Sequence, residues 1–319
     1  MSVTVDRCDT CGALVDLDDL FCANCGTEVP DHSAGQTARL AIDAKNFQCK
    51  SCGASMNYDA RAQSLKCPFC GSLDLVEDKS QGILAPECVI PFAIDRNAAE
   101  SRLRSWLGSS IWHPTDLRQT AQLTELRAVY VPFWIFDSHV ATHWTADTNR
   151  TPPGARADWY PVAGWGEREY QGVWIPASAG IPTQELNAIW PFDVTAAVPP
   201  DKVDLVDITV EQFTVSRRYA RPHAQSQLEA LEAQAVAQQV PGSQRNVHVN
   251  VLMDGASSQA ALAPLFVLAY RYRDRVYRFV VNGQTGRSAG KAPVSKTKVA
   301  AAIGIVVLIV IVVLLIALR

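Results

Sequence analysis

The sequence predicts an α+β protein made of two N-terminal four-cysteine ribbons, an α+β domain and one C-terminal transmembrane helix. Three observations predict it. Eight of the nine cysteines fall in four Cys-x-x-Cys pairs, β-rich runs alternate with helical stretches between residues 82 and 283, and the chain closes on a long apolar run. The implied order is a first ribbon at 1–30, a polar linker at 31–46 and a second ribbon at 47–78. The α+β domain follows at 82–283, then a basic juxtamembrane linker at 284–298 and the span at 299–318.

The first quartet is Cys8, Cys11, Cys22 and Cys25; the second is Cys49, Cys52, Cys67 and Cys70. Each pair is followed by glycine, namely Gly12, Gly26, Gly53 and Gly71. A Cys-x-x-Cys turn wraps backbone around one ion, and the next residue often needs positive φ, where glycine meets no steric penalty. Two such turns facing each other present four thiolates in a tetrahedron, which suits Zn²⁺. Two structural zinc ions are therefore expected, in two zinc ribbons. A rubredoxin-like iron centre or a redox dithiol is the competing reading, although nothing resembles the strand-helix context of a thioredoxin-type dithiol. Four thiolates leave no open coordination position, so the sites are structural, and the metal supplies folding energy that so small a core lacks. Cys88, in an apolar setting, reads as a core residue.

Charge bears on what the ribbons touch. Residues 1–33 carry seven acids and one base, and each tetrathiolate zinc site adds two further negative charges. A phosphate-binding surface needs the opposite sign, so nucleic acid is disfavoured as a partner. The ribbons read as protein-binding modules or folding clips.

In the domain, Val131–Phe136 resembles Ala263–Leu268: each is an apolar run entered through proline. Upstream of the first lie a strand from Cys88 to Ile94 and a helix from Asn97 to Leu107, capped by Asp95 or Asn97. Upstream of the second lie a strand from Val206 to Val215 and a helix from Ala224 to Val240, with Leu228, Leu231, Ala235 and Val236 at helical spacing. Two similar strand-helix-hairpin units are expected, with chance similarity of two buried strands as the alternative. Leu265–Arg273 and Val276–Val281 should pair across a turn near Asp274. Eight prolines between residues 145 and 205 argue for short strands there, such as Tyr170 to Ile175, and a short helix from Thr183 to Ile189. All eight tryptophans lie between residues 106 and 190. Most should be core. Trp159, Trp165 and Trp174 stand among glycines and polar residues, which makes them the candidates for a protein interface.

Val299 to Leu318 has no charged or polar side chain and no proline. Twenty helical residues span about 30 Å, the thickness of a bilayer's hydrocarbon core. Arg287, Lys291, Lys296 and Lys298 precede it and one arginine follows. The positive-inside bias then places residues 1–298 in the cytoplasm, as a single-pass, tail-anchored protein of the inner membrane. The same four cations are candidates for contact with anionic lipid.

No Gly-x-x-x-x-Gly-Lys-Ser/Thr loop, Gly-x-Ser-x-Gly elbow or His-Glu-x-x-His motif occurs, so no residue argues for catalysis. His139 and His143 would share a strand face, but no acid at suitable spacing completes a metal site.

Three stretches carry a resemblance: the ribbon from Phe47 to Ser72, the Val131–Trp134 strand and the segment Tyr270–Ser295. They resemble a bacterial family of zinc-ribbon membrane proteins whose members are often labelled primosomal-helicase-related. This sequence has no helicase motor. The first ribbon resembles modules attached to many bacterial membrane proteins. The reading that unites these features is a membrane adaptor whose cytoplasmic part recruits a cytosolic protein or large assembly. A membrane-held nucleic-acid-associated protein is the alternative, and an unrecognised enzyme the second.

Overall fold

The structure, a computed structural model, describes residues 44–59, 66–77, 86–150, 152–154, 157–178, 180–205 and 208–317, with Cys8, Thr10, Cys22 and Thr27. Cys11, Cys25 and most of the first ribbon lie outside the described residues.

Strand β1 (Ala44–Cys49) pairs antiparallel with β2 (Ser55–Asp59) on one side and β3 (Leu75–Glu77) on the other. The domain continues with β4 (Cys88–Val89), α1 (Arg96–Leu107), α2 (Leu117–Thr120), β5 (Gln122–Thr148), β6 (Tyr160–Pro176) and α3 (Thr183–Ile189). Then come β7 (Thr209–Glu211), α4 (Arg217–Gln239), β8 (Gln244–Tyr272), β9 (Arg275–Asn282), β10 (Ser288–Gly290) and α5 (Lys296–Ala317). All ten described strands form one sheet centred on the long antiparallel pair β5–β8.

The expected repeat is visible in the register. Val131 pairs with Ala263, which lies 132 positions later, so a two-fold axis through that pair exchanges β5 and β8. Moving Val129 and Tyr130 by the same interval gives Ala261 and Leu262. The first two carry β7 in parallel and the second two carry β4 in parallel. Beyond them β6 lies along β5 and β9 along β8. The helices obey the relation too. Ala99, Leu103 and Leu107 are the buried residues of α1, and 121 positions on stand Ala220, Ala224 and Leu228, buried in α4. Phe92 packs on Phe266 as Phe213 packs on Trp134, the same two intervals again. Each short strand thus pairs with the long strand of the other half, which locks the halves into one core.

One sheet face is covered by helices. α1 and α2 bury Phe266, Leu268, Tyr270 and Phe279, while α4 buries Trp134, Phe136, Val140 and Val173. The opposite face, with Val129, Val131, Phe133, Ala261, Ala263 and Leu265, is covered by the ribbon and by residues 181–192. Asp95 caps α1 by accepting from the Ala98 N–H at 2.7 Å. On α4, Leu231 is exposed and Glu232 buried, because burial follows an i, i+4 row from Ala220 to Val236. Glu232 is held by Arg168 at 2.6 Å and Tyr170 at 2.5 Å, pinning α4 to β6.

Several expectations about extent need correction. The strand expected from Cys88 to Ile94 is only Cys88–Val89, and of Val206 to Val215 only Thr209–Glu211 is strand among the described residues. Strand β6 runs for 17 residues despite the proline density, because Pro161 and Pro176 sit at its two ends and only β5 pairs with it, so its other edge demands no donors. Helix α4 starts seven residues before Ala224, with Pro222 inside it. The stretch at 284–298 is not a free linker: Ser288–Gly290 pair with β9, and Asn282 Oδ1 accepts from the N–H groups of Gln284 and Thr285. The β8–β9 hairpin turns at Arg273 and Asp274, where Arg273 takes φ 52°. Helix α3 matches its expected bounds.

Candidate metal centre

Two tight turns build the site. In the first, Cys49 N–H donates to the Ala54 carbonyl at 2.8 Å and Gly53 N–H returns to the Cys49 carbonyl at 2.8 Å. In the second, Cys67 N–H donates to the Ser72 carbonyl at 2.8 Å and Gly71 N–H to the Cys67 carbonyl at 2.9 Å. Gly53 and Gly71 take φ of 78° and 77°, the left-handed conformation expected after each pair. Strand β1 delivers the first turn and β3 follows the second, so sheet pairing brings the two face to face.

The four sulfurs of Cys49, Cys52, Cys67 and Cys70 lie within 4.8 Å of one another. Across the pairs, Cys49 Sγ stands 3.5 Å from Cys70 Sγ and Cys52 Sγ 3.6 Å from Cys67 Sγ. A tetrahedron with Zn–S bonds of about 2.3 Å has edges of about 3.8 Å. Disulfides, at about 2.05 Å, are excluded by the same distances. The donor set and spacing fit a tetrathiolate metal ion. Cys49 and Cys67 are buried, Cys52 half-buried and Cys70 exposed. The contact with Cys67 draws the Cys52 thiol down to about 5, and Cys67 is pushed up in return by its bond to Cys52. Burial, above all, raises Cys70 to about 11. So compact a set of thiols holds negative charge poorly by itself, and a divalent cation resolves that conflict by displacing the protons.

The ribbon is not a separate module. Ala54, Met56, Cys67 and Phe69 are buried in the same core as Val129, Val131, Ala263 and Leu265. Strand β2 pairs with β7 at Met56↔Glu211, and Gln212 N–H donates to the Ser55 carbonyl at 2.8 Å. Arg278 reaches from β9 to the Phe69 carbonyl at 3.1 Å and to Glu185 at 2.9 Å. Lys66 pairs with Glu125 at 3.0 Å. Glu211 is wholly buried beside the site; burial pushes its carboxyl up to about 8, against the Ser178 hydroxyl and the Gly180 N–H, which donates at 2.9 Å. Nothing in the sequence marked Glu211, Arg278 or Glu185, because their pairing depends on strands far apart in the chain.

In the first quartet, Cys8 and Cys22 are buried, and Cys22 N–H donates to the Thr27 carbonyl at 2.7 Å. That bond spans five residues, as do Cys49–Ala54 and Cys67–Ser72. Among the described residues the second quartet is the only cluster with metal-ligand spacing. His139 and His143 share the exposed face of β5, and His139 lies 3.8 Å from Glu167. Cys88 is half-buried on β4, and burial raises its thiol to about 11.

The interface candidates separate. Trp165 is 72% exposed on β6. Trp159 lies beneath the Arg245 guanidinium, 4.4 Å from the ring centre. Trp174 must be corrected: it is buried, stacked on Phe192 at 5.7 Å and edge-on to Phe133 at 5.3 Å, because the β5 register turns it toward the ribbon side. The lipid candidates separate as well. Arg287 donates to the Trp190 carbonyl, Lys291 lies 4.0 Å from Glu185, and Lys298 donates to the His113 carbonyl at 2.8 Å. Lys296 is exposed at the start of α5. Helix α5 is long and apolar enough to cross a membrane, and its apolar window packs against nothing in the domain.

The chain is similar to the uncharacterised protein YdjG of Bacillus subtilis strain 168, with 25% identity over 316 residues, covering 80% of this chain and 92% of that protein. No family model matches the chain, and no solved structure matches it.

Proposed function

We propose that the chain is a single-pass, tail-anchored adaptor of the inner membrane, with residues 1–298 in the cytoplasm, that holds a cytosolic protein or assembly at the bilayer. The observation that carries this reading is the polarity of the molecule. At one end α5 stands bare. At the other, β6, β5 and the start of β8 extend beyond the short strands as a three-stranded sheet with one open face. That face carries Trp165, Leu252, His143 and Asn250, all exposed. At about 3.3 Å per residue, roughly 70 Å of strand separates Asn250 from Tyr272 beside α5. An exposed indole on a sheet face, with Glu167 and Glu169 beside it on the same strand, has the character of a binding hot spot with an acidic rim. The cations before α5 support the cytoplasmic orientation. We further propose that Cys8, Cys11, Cys22 and Cys25 hold a second structural zinc, on the strength of the shared five-residue hydrogen bond.

A photo-crosslinking side chain at position 165 of the full chain, in intact cells, tests the reading. We expect one protein adduct of defined mass, absent when the same group replaces exposed Gln119 beside α1. Crosslinking to nucleic acid, to a periplasmic protein, or equally at both positions refutes it.

A further inference from the structure

Helix α5 leaves the domain at one corner, and two bonds fix that corner. Ser295 N–H donates to the Trp112 carbonyl at 2.8 Å, and Lys298 Nζ to the His113 carbonyl at 2.8 Å. The loop after α1 and the β8–β9 turn therefore flank the helix's first turn. Four large apolar side chains are exposed here: Ile111 at 76%, Trp112 at 42%, Val276 at 59% and Val294 at 58%. Beside Val294 lies a cavity of about 550 Å³ whose lining also includes Arg273, Arg275, Lys296, Tyr277 and Asp274. Three cations face one acid. Arg273 lies over the Tyr272 ring and pairs with Asp116 at 3.7 Å. The side chains of Arg275 and Lys296 are exposed and make no hydrogen bond or ion pair among the described residues.

Resting on the reading that α5 lies in a membrane, we propose that this corner seats the domain on the bilayer. Ile111, Trp112, Val276 and Val294 enter the interface, and the cavity takes the phosphate headgroup of an anionic phospholipid. The depth argument is direct. The apolar run begins at Val299, only five residues after Val294, so Val294 stands next to the hydrocarbon boundary, at the headgroup layer. Apolar side chains at that depth leave water for lipid, and an indole is at home there. Each cation near an anionic surface gains about fivefold in affinity. The same contacts hold the far sheet face upright, because the corner gives the domain several points of support on the bilayer.

The test is hydrogen exchange of the full chain in nanodiscs of phosphatidylglycerol or of phosphatidylcholine. Amides of residues 109–115 and 272–277 should exchange more slowly in phosphatidylglycerol, and R275Q with K296Q should remove the difference, by roughly fivefold per cation. Lys50→Gln, on the exposed ribbon surface, should leave it unchanged. Equal exchange of these segments in the two lipids, with α5 amides protected in both, overturns the seating and leaves the anchor standing. Solvent-like exchange of α5 amides in both overturns the anchor itself. Protection in phosphatidylcholine on adding inorganic phosphate overturns the lipid assignment in favour of a free anion.

Discussion

Replacing Cys67 with Ser, or extracting the metal with a chelator, should destabilise the α+β domain and not the ribbon alone. A tetrathiolate zinc contributes about 10–16 kcal/mol of apparent binding energy to a small ribbon's folding, so the ribbon opens when the metal leaves. Met56 and Phe69 then leave the core they share with Val129, Val131 and Leu265. Burying one Met or Phe side chain stabilises by about 1.5–3 kcal/mol, so losing both removes about 3–6 kcal/mol before any cost of uncovering their partners. In a domain of this size each kcal/mol moves the melting temperature by about 2–4 °C, which sets a fall of at least about 6 °C.

Intrinsic tryptophan fluorescence of the full chain in detergent reads this cleanly. All eight tryptophans lie between residues 106 and 190 and none in the ribbon, so the signal reports the domain alone. A melting transition that stays within about 1 °C of its original position, while metal analysis shows the second site emptied, would falsify the shared-core argument.

Two further outcomes follow from single side chains. Trp174→Ala should cost about 3–5 kcal/mol, as a buried aromatic does, while Trp165→Ala should stay within about 0.5 kcal/mol in chemical denaturation; the reverse order would show that the covered and open ends of this sheet face are misassigned. Burial alone would raise the Glu232 carboxyl, but hydrogen bonds from Tyr170 and Arg168 outweigh it and hold the group below the usual carboxylate range. Its folded pKa being depressed, its stabilisation is present above the ordinary value of about 4.3 and is lost as pH falls through the folded value. Glu232→Gln should therefore cost about 1–3 kcal/mol at neutral pH, with the gap to wild type closing in acid; a gap that widens in acid reverses the assignment.

What the sequence made legible was local chemistry. The left-handed glycines after the cysteine pairs, the Asp95 cap, α3 and the turn at Asp274 each depend on a few neighbouring residues, and each stands where the motif put it. The repeat was legible as a weak similarity of two strands, and only the register makes it a two-fold relation. Strand length was not legible. Residues 122–148 read as separate runs because no local signal says that β5 continues past its bulges near Leu123, Asp137 and Thr145 to pair with β8 throughout. Trp174 misled because Gln171 and Gly172 just before it drew the reading away from Val173 and Ile175 that flank it, whereas its burial is decided by contacts with Phe133 and Phe192, distant in the chain.

The placement of the ribbon changes where recognition must be sought. A zinc ribbon read from sequence is a module with two faces open to partners. Here one face of the second ribbon, together with the short helix α3, closes the core on the sheet face opposite α1 and α4. The two halves supply α1 and α4 symmetrically on one face, and on the other the ribbon and residues 181–192 fill the space. Its metal is then accounted for by folding alone, since Cys49 and Cys67 are buried and the thiolate set leaves no open coordination position. The acidic charge of the N-terminal residues is displaced from that argument as well, because it lies in residues 1–33 and not in the ribbon that closes the core. Among the described residues, the sheet face around Trp165 and the corner around Trp112 are exposed, at opposite ends of β8. The proposed client site and the proposed bilayer contact therefore fall on separate ends of the molecule, and the length of β8 keeps them apart.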